Sequence, residues 1–535
     1  MRLTLAFALA VLCLASSVAA SAEGGQTALE PPGRRLVLDY QQSVLHMGLA
    51  ATGLALFGWG AFLRRSGRSE RYRRTRRGAL LALAALSYSS FYYFFQFHHP
   101  HGLKAEDVYS YYIGSKYAPE LGYFGLYECT LTALVENGTA SLDEIQWVRD
   151  LRTLRVIRPR QAWVRGKRCR DQSFEPARWA EFQRDVTWFR ERMRDADFAH
   201  LMTDHGYQPG PVWTAMARPL SSLAPTEDAG PTLLSRLDRL VVLAVFLVVA
   251  WAFGLEAACL VAIVWGTGFL WRYGWIGDNY LRQMWMASAL SGICLARKGM
   301  HGGAGALLTF SALLRLFPAV FALGYVLQAA LRGWRERSIP PNAVRFAIGA
   351  GIAGVVLVAA SVGIADRGVA IYGEFYQKIS RFEASPATNK VGLPVLANSL
   401  LTRAAGEGDE PPLWAVVGVQ GARWALVAAL LWLLGRALAR AQPWEGAALG
   451  FTLVPVLTQP TNYYYTFVLA AALLATRRPR IALFLLGASV AWSANGLVFY
   501  REQAGFVGAS LIALVFCAAL LWEMQRPAAS SSAAR

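Results

Sequence analysis

RRSGRSERYRRTRRG, residues 64–78, sets eight arginines against one glutamate and separates two apolar runs, 44–63 and 79–97. A loop this short and this basic stays on the cytoplasmic side of a membrane. The run 79–97 therefore leads outward, and every later segment takes its side from that assignment.

Composition agrees with a polytopic membrane chain. Of 535 residues, 55% are hydrophobic and 16% charged. A soluble chain of this length carries more charge and does not string its apolar residues into runs of about 20. The net charge of +18 is gathered largely in short arginine clusters between apolar runs. That is a topology signal rather than a nucleic-acid footprint. No zinc or nucleic-acid motif is present, and the six cysteines show no CxxC spacing.

Residues 1–22 read as a signal peptide or signal anchor: Arg2, an apolar core over 3–15, then Ala20-Ser21-Ala22. Residues 44–99 hold the first spans, and 100–237 form a large extracytoplasmic loop. Within that loop, Ser141-Leu-Asp-Glu144 has the form of a capping box opening a helix to 157, and 174–202 reads as a second helix. The arginines between 149 and 194 do not pull it inside, because long loops translocate largely regardless of charge. Cys129 and Cys169 share this loop. They pair if it meets an oxidising compartment, or stay as two thiols.

Residues 238–524 are a multi-helix membrane domain. Residues 240–271 are too long for one span and turn near 254–256. Two stretches, 302–331 and 441–476, are bounded by basic residues at both ends, with Arg315 and Pro318 in the middle of one and Gln459-Pro460-Thr461-Asn462 plus three tyrosines in the middle of the other. Like-sided ends predict hairpins with polar crests on the outer side, rather than single tilted spans. Residues 366–413 form an outer-side loop, and 525–535 a disordered cytoplasmic tail. The expectation is an all-α polytopic protein with roughly 13 spans, for helices of about 20 residues.

This topology brings the polar features to one face. EDVYSYYIGSKYAPELGYFGLYE, residues 106–128, places Glu106 and Asp107 just past an outward span, followed by Tyr109, Tyr111 and Tyr112. Carboxylates beside aromatic and hydroxyl groups at a membrane rim suit the handling of a sugar on a lipid. A helix cap and an interfacial aromatic belt account for the same residues. Asp278, in GDNY, is either a second acid or a turn residue. His98, His99 and His101 fix no coordination geometry, and Asp204–His205 reads as a loop turn. Glu256 and Arg423 are the intramembrane charges a transporter would use.

A carboxylate after an outward span, GY…LYE, LLRLFP followed by RGWRER, and PTNYYY resemble the polytopic GT-C glycosyltransferases. The likeness is strongest to glycosyltransferase family 87, the polyprenyl-phosphomannose-dependent mannosyltransferases. It covers the arrangement from residue 79 onward through short motifs, with Asn398-Ser399-Leu400 and Arg403 a looser match. Many members carry lysine where Arg315 stands, and the arginine-rich loop with Asp204-His205-Gly206-Tyr207 has no counterpart in the match.

The resemblance implies a GT-C-type bundle in a bacterial inner membrane. It implies inverting transfer of a sugar, mannose among the candidates, from a polyprenyl-phosphate donor to a glycolipid or envelope-glycan hydroxyl on the extracytoplasmic side. Asp107 would be the general base, with adjacent Glu106 the alternative. Arg315, then Arg403 and Lys378, would hold the donor phosphate. Tyr109, Tyr111, Tyr112, Asp278, Asn462, Tyr463 and Tyr464 would bind sugar or acceptor. The leaving group is already a stable anion, so the chemistry requires no metal or other cofactor. Competing expectations are a transporter or flippase of lipid-linked glycans, and an envelope-glycan ligase or polymerase using a lipid diphosphate.

Overall fold

The computed structural model describes residues 32–95, 103–277, 279–384, 389–406, 410–499 and 503–526, with 32–39 and 384 as backbone only. The expected signal segment 1–22, His98, His99, His101, Asp278 and nearly all of the tail expected at 525–535 lie outside the described residues.

The chain is all-α apart from one two-residue hairpin. Five helices are long and apolar enough to cross a membrane: Tyr40–Arg65, Pro341–Ile364, Leu413–Leu438, Arg480–Val498 and Gln503–Met524. Their open faces are apolar, as with Ile348, Ile352, Val355 and Val356 on one helix and Val417, Trp424 and Trp432 on another. Apolar surface of that extent needs lipid rather than water against it.

Shorter helices fill the bundle between these five, and their ends sort onto two faces. On one face Arg76 is ion-paired with Glu256, at the break between helices Leu237–Phe253 and Leu255–Thr267. Lys298 lies over Trp251 and Arg297 over Trp444, while Arg335 donates to the Ala439 carbonyl. Glu445, fully buried, accepts from Arg477 and Arg478 at 3.1 Å each. Removing one partner of such a buried pair costs about 3–5 kcal/mol. This arginine face carries the 64–78 cluster.

The two stretches bounded by basic residues fold back as hairpins. Helices His301–Leu314 and Ala319–Glu336 run antiparallel, since the Tyr325 hydroxyl sits 2.9 Å from His301 Nδ1. A single helix would separate those residues by about 36 Å at 1.5 Å per residue. The Glu445–Arg478 pair closes the second hairpin in the same way, with its crest at Thr458–Thr461. Both crests face away from the arginine face.

The large polar loop folds into a helical unit on that opposite face. Its arginines are largely neutralised internally: Arg152 and Arg165 pair with buried Glu128, Arg178 with Glu120 and Glu181, and Lys116 with Asp185 at 2.7 Å. Cys129 and Cys169 form a disulfide joining helices Leu126–Glu136 and Pro159–Ser173.

Two expectations for this unit fail. Half of the capping box forms, with the Ser141 N–H donating to Glu144 Oε2 at 3.2 Å, while the Ser141 hydroxyl accepts from the Asp143 N–H at 3.3 Å, and no helix follows. Strand-favouring Val148, Val156 and Ile157 instead pair across a turn held by the Asp150 carboxylate, which accepts from the Arg152 N–H at 2.9 Å. The helix expected over 174–202 is two, Pro176–Arg190 and Asp195–Thr203. Pro176 fits the first turn of the first helix, where its missing N–H costs nothing. Arg190 closes the interruption by donating to Met193 O and Asp195.

Candidate active site

Helix Ala105–Lys116 begins two residues before Asp107, so Asp107 lies in its first turn and is not the N-cap. A carboxylate there meets the positive end of the helix dipole. Asp107 is ion-paired with Lys104, whose Nζ also donates to the Gly274 carbonyl at 3.1 Å. Its side chain keeps 23% exposure. Gly277 packs against this carboxylate with φ +48°, where a Cβ would collide with Oδ2. Glu106 points elsewhere. Burial raises its pKa, and the neighbouring Asp107 and Asp197 charges add to the rise against the opposing pull of Lys104.

The three-and-four spacing carries Tyr111 onto the same helix face as Asp107. Arg315 ends helix His301–Leu314 in an extended conformation and is buried. It donates from Nη2 to the Tyr111 hydroxyl at 2.8 Å and from Nη1 to the Gln208 carbonyl at 3.3 Å. Its guanidinium lies 5.5 Å from the Tyr464 ring centre.

A second buried guanidinium, Arg282, completes the cluster. It stands 4.4 Å from the Tyr463 ring and 5.8 Å from that of Tyr111. Its backbone is fixed by buried Asp238, whose carboxylate accepts the N–H groups of Arg282 at 3.1 Å and Gln283 at 3.2 Å. The Trp213 indole binds the preceding Leu281 carbonyl at 3.0 Å. The Asn279 amide, with its oxygen toward Arg282 and its nitrogen toward the Asp107 carbonyl, ties the two segments together.

The tyrosines divide. Tyr111, Tyr463 and Tyr464 surround the two arginines, and Tyr463 meets Tyr464 edge-on at 4.6 Å. Tyr109 and Tyr112, expected as sugar-stacking walls, are instead buried in the large helical unit. Tyr109 is hydrogen-bonded to Thr130 at 2.5 Å, and Tyr112 donates to the Ala224 carbonyl at 2.8 Å. The helix turns positions 109 and 112 away from the face shared by 107 and 111. Asn462 is buried and donates to the Leu270 carbonyl at 2.8 Å, which anchors the second crest.

Neither reserve phosphate ligand joins the cluster. Arg403 is exposed on helix Leu393–Ala405. Lys378 is fully buried on helix Ala370–Ala384, where it faces Asp204, Arg149 and Asp150. Glu128, which closes the 106–128 stretch, is occupied by its two arginines.

Sequence reasoning missed Arg282 and Lys104. Arg282 follows GDNY by one residue, at the head of a span, where an arginine reads as a topology marker. A buried Asp238 holding its backbone is the signal, and it is 44 residues away in sequence.

The arrangement offers two buried guanidiniums among three phenols, with a partly exposed carboxylate paired to Lys104 one helical turn before Tyr111. That set can take a proton from an incoming hydroxyl and hold a phosphate oxygen anion. No family model, curated protein or solved structure matches this chain.

Proposed function

We propose that the protein is an integral membrane glycosyltransferase of GT-C type. It transfers a sugar, mannose among the candidates, from a polyprenyl-phosphate donor to an extracytoplasmic acceptor hydroxyl. The observation that carries this reading is the meeting of Arg282 and Arg315 at Tyr111, one helical turn after Asp107, from three segments distant in sequence. A cap and an aromatic belt would not require two buried guanidiniums at that tyrosine.

In the proposed reaction the acceptor oxygen attacks the anomeric carbon while Asp107 takes its proton. The bond from that carbon to the phosphate oxygen breaks, and Arg315 and Arg282 hold the departing phosphate. Inversion follows from the single displacement. Siting outside a bacterial inner membrane is supported by the arginine loop at 64–78 and by the Cys129–Cys169 disulfide, which belongs to an oxidising compartment. The roughly 13-span topology is part of the same proposal.

The charges a transporter would use are disposed differently. Glu256 is paired with Arg76 on the arginine face, and Arg423 lies against Trp424 on a largely open helix surface. The test is Asp107→Asn in purified protein in nanodiscs, supplied with polyprenyl-phosphate mannose and a glycolipid acceptor. A loss of turnover of about 100-fold or more, with donor binding retained, is expected of a general base. Turnover near the wild-type rate would remove Asp107 from that role. A donor-competition arm with lipid diphosphates separates the ligase reading, which predicts preference for the diphosphate.

A further inference from the structure

Arg315 is held by two acceptors, the Tyr111 hydroxyl and the Gln208 carbonyl, and the second stands on a segment outside any helix or strand. Residues 207–210, Tyr-Gln-Pro-Gly, lie between helices Asp195–Thr203 and Pro211–Leu223. Gly210 packs on the last turn of the helix that leads to Arg315. A Cβ there would stand 2.7 Å from the Leu313 carbonyl oxygen and 3.4 Å from that of Leu314. Two residues earlier, the Gln208 carbonyl accepts from Arg315 Nη1 at 3.3 Å. The segment thus sets the direction of one arm of the guanidinium. An arginine on its flexible stem is a precise ligand only where its planar fork is fixed by its surroundings.

Between Gln208 and Gly210, the Pro209 carbonyl accepts the Tyr123 hydroxyl at 2.7 Å. Tyr123 is buried, its ring 5.6 Å from that of Tyr207 and 5.7 Å from that of Phe375. Its backbone is held from the other side. The Tyr123 N–H donates to Glu374 Oε2 at 3.1 Å, and Glu374 is paired with Arg367 at 2.5 Å. Arg367 also donates to the Pro119 carbonyl at 2.7 Å. The adjacent Gly122, at φ +52°, lies so close to Glu374 that a Cβ would collide with Oε2. One tyrosine therefore joins helix Ala370–Ala384, through its amide, to the Arg315 segment, through its hydroxyl. Phenylalanine would meet the ring contacts equally well. What the hydroxyl adds is the tether to Pro209.

We infer that Tyr123 is a positioning residue for Arg315: it holds the 207–210 segment so that the Gln208 carbonyl aims the guanidinium at a phosphate. This rests on the proposed role of Arg315 as a ligand of the donor phosphate.

The experiment is a titration of a short-chain polyprenyl phosphate into nanodiscs holding the full chain. Tyr123→Phe should weaken binding by roughly three- to tenfold, the reach of one hydrogen bond to a buried carbonyl. Arg315→Gln should weaken it by roughly tenfold or more. In the Arg315→Gln background the Tyr123 change should add nothing, since a tether acting through that guanidinium has nothing left to aim. Tyr117→Phe removes another buried hydroxyl of the same helical unit, one that donates to Asp185 at 2.8 Å, and should leave binding unchanged. Wild-type protein that does not bind polyprenyl phosphate, or binding indifferent to Arg315→Gln, would remove the phosphate reading and this proposal with it. Binding that needs Arg315 but not the Tyr123 hydroxyl overturns this proposal alone. So does a Tyr123→Phe loss of equal size with and without Arg315, or one matched by Tyr117→Phe.

Discussion

Arg315 donates to the Tyr111 hydroxyl at 2.8 Å, and Arg282 faces the same ring from 5.8 Å. One phenol thus stands between two buried guanidiniums. Among the described residues neither guanidinium has a carboxylate within ion-pairing distance, and Asp107 is paired with Lys104 instead. Like charges buried together are costly unless an anion joins them. A phosphate oxygen would offset that cost in the bound state.

In the proposed reaction the Tyr111 hydroxyl would orient Arg315 rather than take part in bond making. Tyr111→Phe should raise the KM for the polyprenyl-phosphate donor by roughly tenfold, the scale of one charge-assisted hydrogen bond, with kcat changed far less. Steady-state kinetics over donor concentration measures the split. A fall in kcat with KM unchanged would make the phenol part of the chemistry.

Arg282 carries the sharper prediction, because nothing in a topology-marker role needs its guanidinium. Arg282→Gln should weaken donor binding by roughly tenfold to a hundredfold, and Arg282→Lys should restore only part of it, since an ammonium lacks the planar fork. If both arginines hold one phosphate, their effects will not add. The double variant Arg282→Gln, Arg315→Gln should lose less than the sum of the two singles. Simple additivity would assign them to separate ligands.

The five helices long and apolar enough to cross a membrane are legible in the sequence because apolar length and basic ends are local signals. The hairpin crests at Arg315 and at 458–461 follow from like charge at both ends of one stretch. What escaped depends on long-range partners. Val148 and Val156 outweigh a half-formed capping box because a hairpin is available to them. Tyr109 and Tyr112 look interfacial in isolation, yet Thr130 and the Ala224 carbonyl give their hydroxyls buried partners. Arg282 becomes part of the site only through Asp238.

The Cys129–Cys169 disulfide ties two helices of the large helical unit across 40 residues. Removing such a link typically costs 2–5 kcal/mol in a small domain. Cys129→Ser, Cys169→Ser should lower the apparent Tm by several degrees in a thermal melt. If this unit is extracytoplasmic, as proposed, a membrane-impermeant maleimide applied to intact cells should label these two positions only after reduction. Labelling without reduction, or only from inverted vesicles, would reverse the topology.

Lys378 supplies a pH-dependent prediction. It is fully buried, its Nζ lacks a hydrogen-bond acceptor among the described residues, and burial brings its pKa down to about 7 against the support of Asp204. The unfolded chain holds this proton up to about pH 10.4, so between the two values the unfolded state binds more protons. Stability therefore rises with pH across that window, and the penalty is complete below pH 7. Lys378→Met removes the group while keeping its length. It should raise the apparent Tm at pH 7 by roughly 2 °C or more, a shift of the order that one kcal/mol produces, with the gain shrinking toward pH 10. A phosphate ligand at this position would give the opposite pattern: the variant would match wild type in thermal melts and lose donor affinity instead. Melts at pH 7 and pH 10, paired with donor titration, distinguish a buried packing lysine from a binding one.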